Sequence, residues 1–144
     1  MKNLREDRIS ALMMGEFKSD RVLLHEIFGG AGWRLFEAHD RRRALDFLEK
    51  NRLQVVIAET QGRGWTWKSL LSDLRRFAEP PQLVVTSPLA DDGLWSEVLN
   101  LGAYDLLAQP LVRDEVERVI GAARRQFAKP PSRVIGRAVL AAPA

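Results

Sequence analysis

Short apolar runs alternate with helical stripes five times along the chain. Ile9-Ser10-Ala11-Leu12-Met13-Met14 is a nearly unbroken apolar run ending at Gly15, the pattern of a short buried strand. Val22, Leu23, Leu24, Ile27 and Phe28 then recur at helical spacing, with Gly29-Gly30 as the expected stop. Trp33 to Glu37 predicts a second strand, and Asp40 a helix N-cap ahead of inward-facing Ala44, Leu45 and Leu48. Leu53 to Ala58 is apolar and β-branched throughout, as a central strand buried on both faces requires. After a Gly-rich loop, Trp67, Leu70, Leu71, Leu74 and Ala78 mark a third helix, which Pro80-Pro81 ends. Leu83 to Thr86 predicts the fourth strand; Leu94, Val98 and Leu101 predict a helix closed by Gly102; Tyr104 to Leu107 predicts the fifth strand. Val116, Val119, Ile120, Ala123 and Phe127 line one face of the last helix, before Pro130-Pro131.

Five strands, each followed by a helix across short connections, imply an α/β fold with helices on both faces of a parallel sheet. The simplest arrangement is a flavodoxin-like doubly wound five-stranded parallel sheet in the order 2-1-3-4-5. Such sheets bind ligands beyond the carboxyl ends of the strands, at the switch point between strands 1 and 3. That rule directs attention to Gly15-Glu16, Glu59-Thr60, Thr86-Ser87 and Gln109-Pro110.

Composition narrows the classes. The 144 residues, 46% apolar and 28% charged, suit one globular domain with a single core. There is no cysteine, which excludes disulfides and thiolate metal sites, and His25 and His39 are too few for a histidine-rich metal centre. MKNLREDRIS lacks the apolar centre of an export signal, and no stretch reaches the roughly 18 apolar residues of a membrane span. A cytoplasmic location with no membrane partner is therefore expected. The last 16 residues hold three of the 22 basic side chains and no acid, so the first 128 carry 19 of each sign. The basic excess belongs to the tail, which argues against a nucleic-acid partner despite 17 arginines.

Several pieces, in order and at matching spacing, resemble one family. Gly32-Trp33-Arg34-Leu35-Phe36-Glu37-Ala38 is similar to the Gly-aromatic-x-Val-x-x-Ala stretch of CheY-like response-regulator receiver domains. Ala44-Leu45-x-x-Leu48 resembles the helix signature that follows it. Gly102-Ala103-Tyr104-Asp105 with Gln109-Pro110-Leu111 resembles the family's Gly-Ala-x-Asp-Tyr-x-x-Lys-Pro-Phe. The resemblance spans about residues 8 to 128. It implies a receiver domain over 1–129, followed by a Pro/Ala-rich basic tail or linker stub over 130–144.

In that family two acids after strand 1 and an acceptor Asp after strand 3 hold Mg²⁺. A Ser or Thr after strand 4 and a Lys after strand 5 contact the phosphoryl group on the acceptor. Hard cations favour carboxylate oxygens, and an ammonium offsets phosphoryl charge. Carried over, the acidic pair falls on Gly15 and Glu16, the acceptor on Glu59, the hydroxyl on Thr86 and the Lys on Gln109. The strand 5 aromatic falls on Leu106, and the Met-Pro pair after the acceptor on Gly62-Arg63. The resemblance also implies a cis Gln109-Pro110 peptide bond.

Gly15, Glu59 and Gln109 together imply a degenerate phosphoacceptor pocket with no cofactor, in which Glu16 and Glu59 bind Mg²⁺ weakly at best. The expected function is that of an atypical pseudo-receiver in two-component phosphorelay signal transduction, working by phosphorylation-independent protein–protein contact. Two other readings are a conventional Mg²⁺-dependent phosphoacceptor receiver and an Arg-rich nucleic-acid-binding protein. Glu59 either reaches the Thr86 hydroxyl, imitating the phosphorylated state, or points into solvent. An enzyme is not expected: no nucleophile or oxyanion donor set accompanies Glu16 and Glu59, and the loop after strand 1 is not a flavin-phosphate cradle. The Arg41-Arg42-Arg43 run is either a solvated face or an anion-binding or partner-docking patch.

The expected partner is a protein: a histidine kinase, an output protein or another receiver. Trp95, Asp105, Arg113 and Arg118 lie on the helix 4–strand 5–helix 5 face, whose mixed charges permit a homodimer. Trp65, off the helical stripe, is expected to be exposed as a further contact.

Overall fold

The computed structural model describes residues 8–129. The tail expected over 130–144, with its Pro130-Pro131 boundary, lies outside the described residues. In chain order the elements are β1 (Ser10–Met14), α1 (Arg21–Ala31), β2 (Arg34–Ala38), α2 (Arg41–Lys50) and β3 (Val55–Glu59). A two-stranded hairpin, β4 (Gln61–Gly62) and β5 (Trp65–Thr66), precedes α3 (Trp67–Leu74), β6 (Gln82–Ser87), α4 (Asp92–Leu101), β7 (Asp105–Ala108) and α5 (Arg113–Gln126).

The five main strands pair in the order β2-β1-β3-β6-β7, all parallel, which is the 2-1-3-4-5 arrangement expected from the sequence. Strand alternation divides the core between two faces. Leu12, Met14, Val56, Ala58 and Val85 pack under α2, α3 and α4, while Ala11, Met13, Val55, Ile57 and Val84 pack under α1 and α5. Both faces are covered, so Ala11 to Met14 and Val55 to Ala58 are apolar at every position, and each large one contributes about 2 kcal/mol by leaving water.

Three local expectations are corrected. α1 runs through Gly29 and Gly30 and ends at Gly32, whose φ of 75° lets its N–H close on the Gly29 and Phe28 carbonyls. The two glycines cost about 1 kcal/mol each in a helix. Opposing that, Phe28 packs edge-on against Trp33 at 5.4 Å, which holds the last turn to β2. Val22 is 68% exposed, because it lies on the far side of α1 from Leu24, Ile27 and Phe28. Ala78 is exposed and outside α3, which ends at Leu74; half-buried Phe77 packs against the core instead.

The Gly-rich loop forms structure that the periodicity did not predict. Gln61 pairs with Thr66 and Gly62 with Trp65 across an Arg63-Gly64 turn, with Gly64 at φ 80°. Thr66 then caps α3 in a capping box with Ser69: the Thr66 hydroxyl accepts from the Ser69 N–H at 3.1 Å, and the Ser69 hydroxyl accepts from the Thr66 N–H at 2.9 Å. Asp40 caps α2 as expected, accepting from the Arg43 N–H at 2.8 Å.

Candidate functional site

The carboxyl ends of β1, β3 and β7 meet in a crevice of about 810 Å³, lined in part by Lys18, Asp20, His39, Glu59, Arg63 and Gln109. β3 delivers Glu59 to this edge directly after fully buried Ala58. The Glu59 carboxylate folds back over β1. Its Oε1 accepts the Glu16 N–H at 3.0 Å and its Oε2 the Phe17 N–H at 3.3 Å. It is neither bonded to Thr86 nor turned out into solvent, so both expectations for its direction are corrected. The physical reason is local: two loop N–H groups need acceptors, and Gly15 has no side chain in the way.

Thr86 is fully buried beside Glu59 in the strand register, and its hydroxyl donates to the Ala58 carbonyl at 3.5 Å. Leu106 is buried in the core. Glu16 is exposed, with its carboxylate 3.8 Å from the Lys18 ammonium.

Gln109 turns to a residue that sequence reasoning missed. Its Nε2 donates to Asp20 Oδ2 at 3.0 Å, and the Leu111 N–H donates to Asp20 Oδ1 at 3.1 Å. Asp20 is 4% exposed and occupies the N-cap position of α1 without capping it, because both its oxygens serve the β7–α5 loop. An acid at that helix start, opposite a Gln that replaces Lys, was the available signal. The Gln109-Pro110 bond is cis, as the resemblance implied.

These residues do not fit a hard divalent cation well. Mg²⁺ demands near-octahedral geometry, keeps several of its waters and is held through one or two carboxylates. Here Glu59 and Asp20 each have both oxygens accepting N–H bonds, Gly15 offers none, and Glu16, exposed on the crevice lining, lies 3.8 Å from the Lys18 ammonium. Among the described residues, no group of three or more His, Asp or Glu side chains is arranged to hold a metal.

Trp65 corrects another expectation. It is 5% exposed, because it belongs to the hairpin rather than to the helix and lays its indole over Gly62, where a Cβ would strike it. Trp65 is therefore part of the crevice wall and not a free contact.

The arginine run is divided. Arg41 makes a bidentate bridge to buried Asp73 of α3, at 2.7 and 2.8 Å, and these bonds push its guanidinium above its ordinary value. Arg43 pairs with Asp40 at 3.5 Å, and Arg42 is exposed. Glu37, at the end of β2, accepts from Arg21 and His25. Burial alone would raise its carboxyl, but the Arg21 and His25 bonds together outweigh this and hold it below the usual carboxylate range.

On the face formed by α4, β7 and α5, Trp95 is 50% exposed and Arg118 is exposed, while half-buried Asp105 accepts its neighbour Leu106 N–H. Arg113 reaches Glu26 of α1 at 3.7 Å, so its charge is turned toward α1 instead of being free on that face. Exposed Val22, Leu89 and Val112 lie at the start of α1 and in the loops after β6 and β7, on the carboxyl side of the sheet.

Comparison with known proteins gives a consistent picture. A receiver domain of a Francisella response regulator superposes with a TM-score of 0.73 at 21% identity, covering 83% of this chain and 98% of that one. The chain folds as a response-regulator receiver domain. The same fold occurs in the Saccharomyces cerevisiae co-crystal of a histidine phosphotransfer signaling protein with the receiver domain of its downstream response regulator, at a TM-score of 0.68 and 14% identity over 78% of this chain and 86% of that one. In sequence, the chain resembles sporulation initiation phosphotransferase F of Bacillus subtilis, 25% identical over 100 residues, which is 69% of this chain and 81% of that protein. No family model matches. Among the described residues, no helix is long and apolar enough to cross a membrane.

Proposed function

We propose that this receiver domain serves in two-component signal transduction by protein–protein contact that does not depend on phosphorylation. The observation that carries this reading is the fate of the crevice carboxylates. Glu59, at the acceptor position, has both oxygens committed to the β1–α1 loop, and Gln109 holds Asp20 with a neutral amide where an ammonium would offset phosphoryl charge. Losing that charge weakens stabilisation of a transferring phosphoryl group by several kcal/mol. A displaced acceptor oxygen lowers the rate by about 100-fold more.

The domain acts as a binding module and not as a catalyst. Its partner is a protein: a histidine kinase, an output protein or another receiver. The co-crystal, a receiver domain with a histidine phosphotransfer signaling protein, supports a protein partner, and exposed Val22, Leu89 and Val112 offer it apolar contacts on the carboxyl side of the sheet. Mg²⁺ is not required in this account.

Trp65 in the crevice wall makes the test direct. Tryptophan fluorescence is followed through a Mg²⁺ titration with and without beryllofluoride, beside a conventional receiver as control. The expected result is a saturable response in the control only. A saturable, Mg²⁺-dependent response in this chain supports the conventional phosphoacceptor reading instead.

A further inference from the structure

Glu59 does more than fail as an acceptor. We infer that its carboxylate is an internal clamp on the β1–α1 loop, and that Gly15 and Glu59 form one steric and hydrogen-bonding unit. The inference rests on the pseudo-receiver reading and deepens it by naming what occupies the site instead of a cation and a phosphoryl group.

Three features of the loop agree. Glu59 accepts from consecutive backbone N–H groups, those of Glu16 and Phe17. Gly15 has φ 123°, and a Cβ built there falls 2.5 Å from Glu59 Oε1 and 3.0 Å from its Cδ, so the longer acid uses space that any side chain at position 15 would take. Phe17 has φ 49°, a left-handed conformation that is unfavourable for a non-glycine residue and persists only where its surroundings hold it. Its fully buried ring and its carbonyl, which accepts from Asp20 and Arg21 at 2.9 and 2.7 Å, supply that hold from one side. Glu59 supplies it from the other.

Asp20 closes the far end of the loop through Gln109 and Leu111. The segment from Gly15 to Asp20 is thus pinned at both ends by carboxylates of the chain itself. Lys18, Ser19 and the start of α1 are presented in a fixed shape with nothing added. A side chain at position 15 would displace the Glu59 carboxylate from this place, so an acid there and the clamp exclude each other.

The test is amide hydrogen exchange of the whole chain, read by NMR in the wild type, Glu59→Ala and Glu59→Gln. The clamp predicts slow exchange at Glu16 and Phe17 in the wild type. In Glu59→Ala both amides exchange about tenfold faster while Val55 to Ala58 keep their rates, and Glu59→Gln falls between. Equal rates at Glu16 and Phe17 in all three proteins overturn the clamp. Melting curves supply a second readout that does not need Glu59→Ala to be as stable as the wild type. Gly15→Ala lowers Tm more when Glu59 is present than in the Glu59→Ala background, and equal decrements overturn the steric unit. Uptake of a phosphoryl group from a small-molecule donor would overturn the pseudo-receiver reading without touching the exchange result, so the two ideas fail separately.

Discussion

Within β3 the chain changes character over a single peptide bond. Val55 to Ala58 are fully buried and their side chains alternate between the two halves of the core, whereas Glu59 emerges half-buried and ties itself to another strand's loop. The same division separates Met14 from Gly15 and Leu107 from Gln109. The sheet interior is fixed by volume and apolarity, and the fold is similar to that of solved structures at low identity. The carboxyl edge is fixed by a few polar bonds, and here they form a set that joins β1, β3 and β7 without an ammonium group. The fold and the chemistry of its edge therefore rest on different residues.

Substitutions on either side of that boundary sharpen the comparison. The largest effect is expected in the interior: Ile57→Ala, at a site with no exposure, should lower unfolding free energy by about 3 kcal/mol in chemical denaturation. At the edge, Asp20→Ala should cost about 2 kcal/mol, since it strands the Gln109 amide and the Leu111 N–H. A double-mutant cycle with Gln109→Ala should show a coupling of about 1 kcal/mol, and strict additivity would mean that the Asp20–Gln109 bond does not form. The smallest effect belongs to Glu37, whose carboxyl is held below its ordinary value. Its contribution to stability is present above the ordinary glutamate range and is lost as pH falls through the lowered folded value. Glu37→Gln should therefore lose less stability than the wild type on acidification, measured as Tm against pH; parallel curves would remove Glu37 from the account.

How far the sequence could be read follows the same boundary. Ser10 to Met14 and Val55 to Ala58 were legible as strands because burial on both faces demands unbroken apolar runs, and with them came the sheet order. The hairpin of β4 and β5 was not, because two-residue strands carry no period, and Trp65 was misplaced as exposed because its position was judged against the helix that follows. Gly29 and Gly30 read as a stop, but the Phe28–Trp33 contact lies beyond what a local rule counts. At the site, Glu16, Glu59, Thr86 and Gln109 were placed at the correct strand ends. The direction of Glu59 and the part played by Asp20 were not, because both depend on which backbone N–H groups converge once the strands are aligned.

Contact without phosphorylation is tested by intact-mass spectrometry after incubation with Mg²⁺ and a small-molecule phosphodonor, beside a conventional receiver treated in the same way. The control is expected to gain a phosphoryl group and this chain to gain none. A phosphorylated chain whose label maps to Glu59, and is lost in Glu59→Gln, would contradict it.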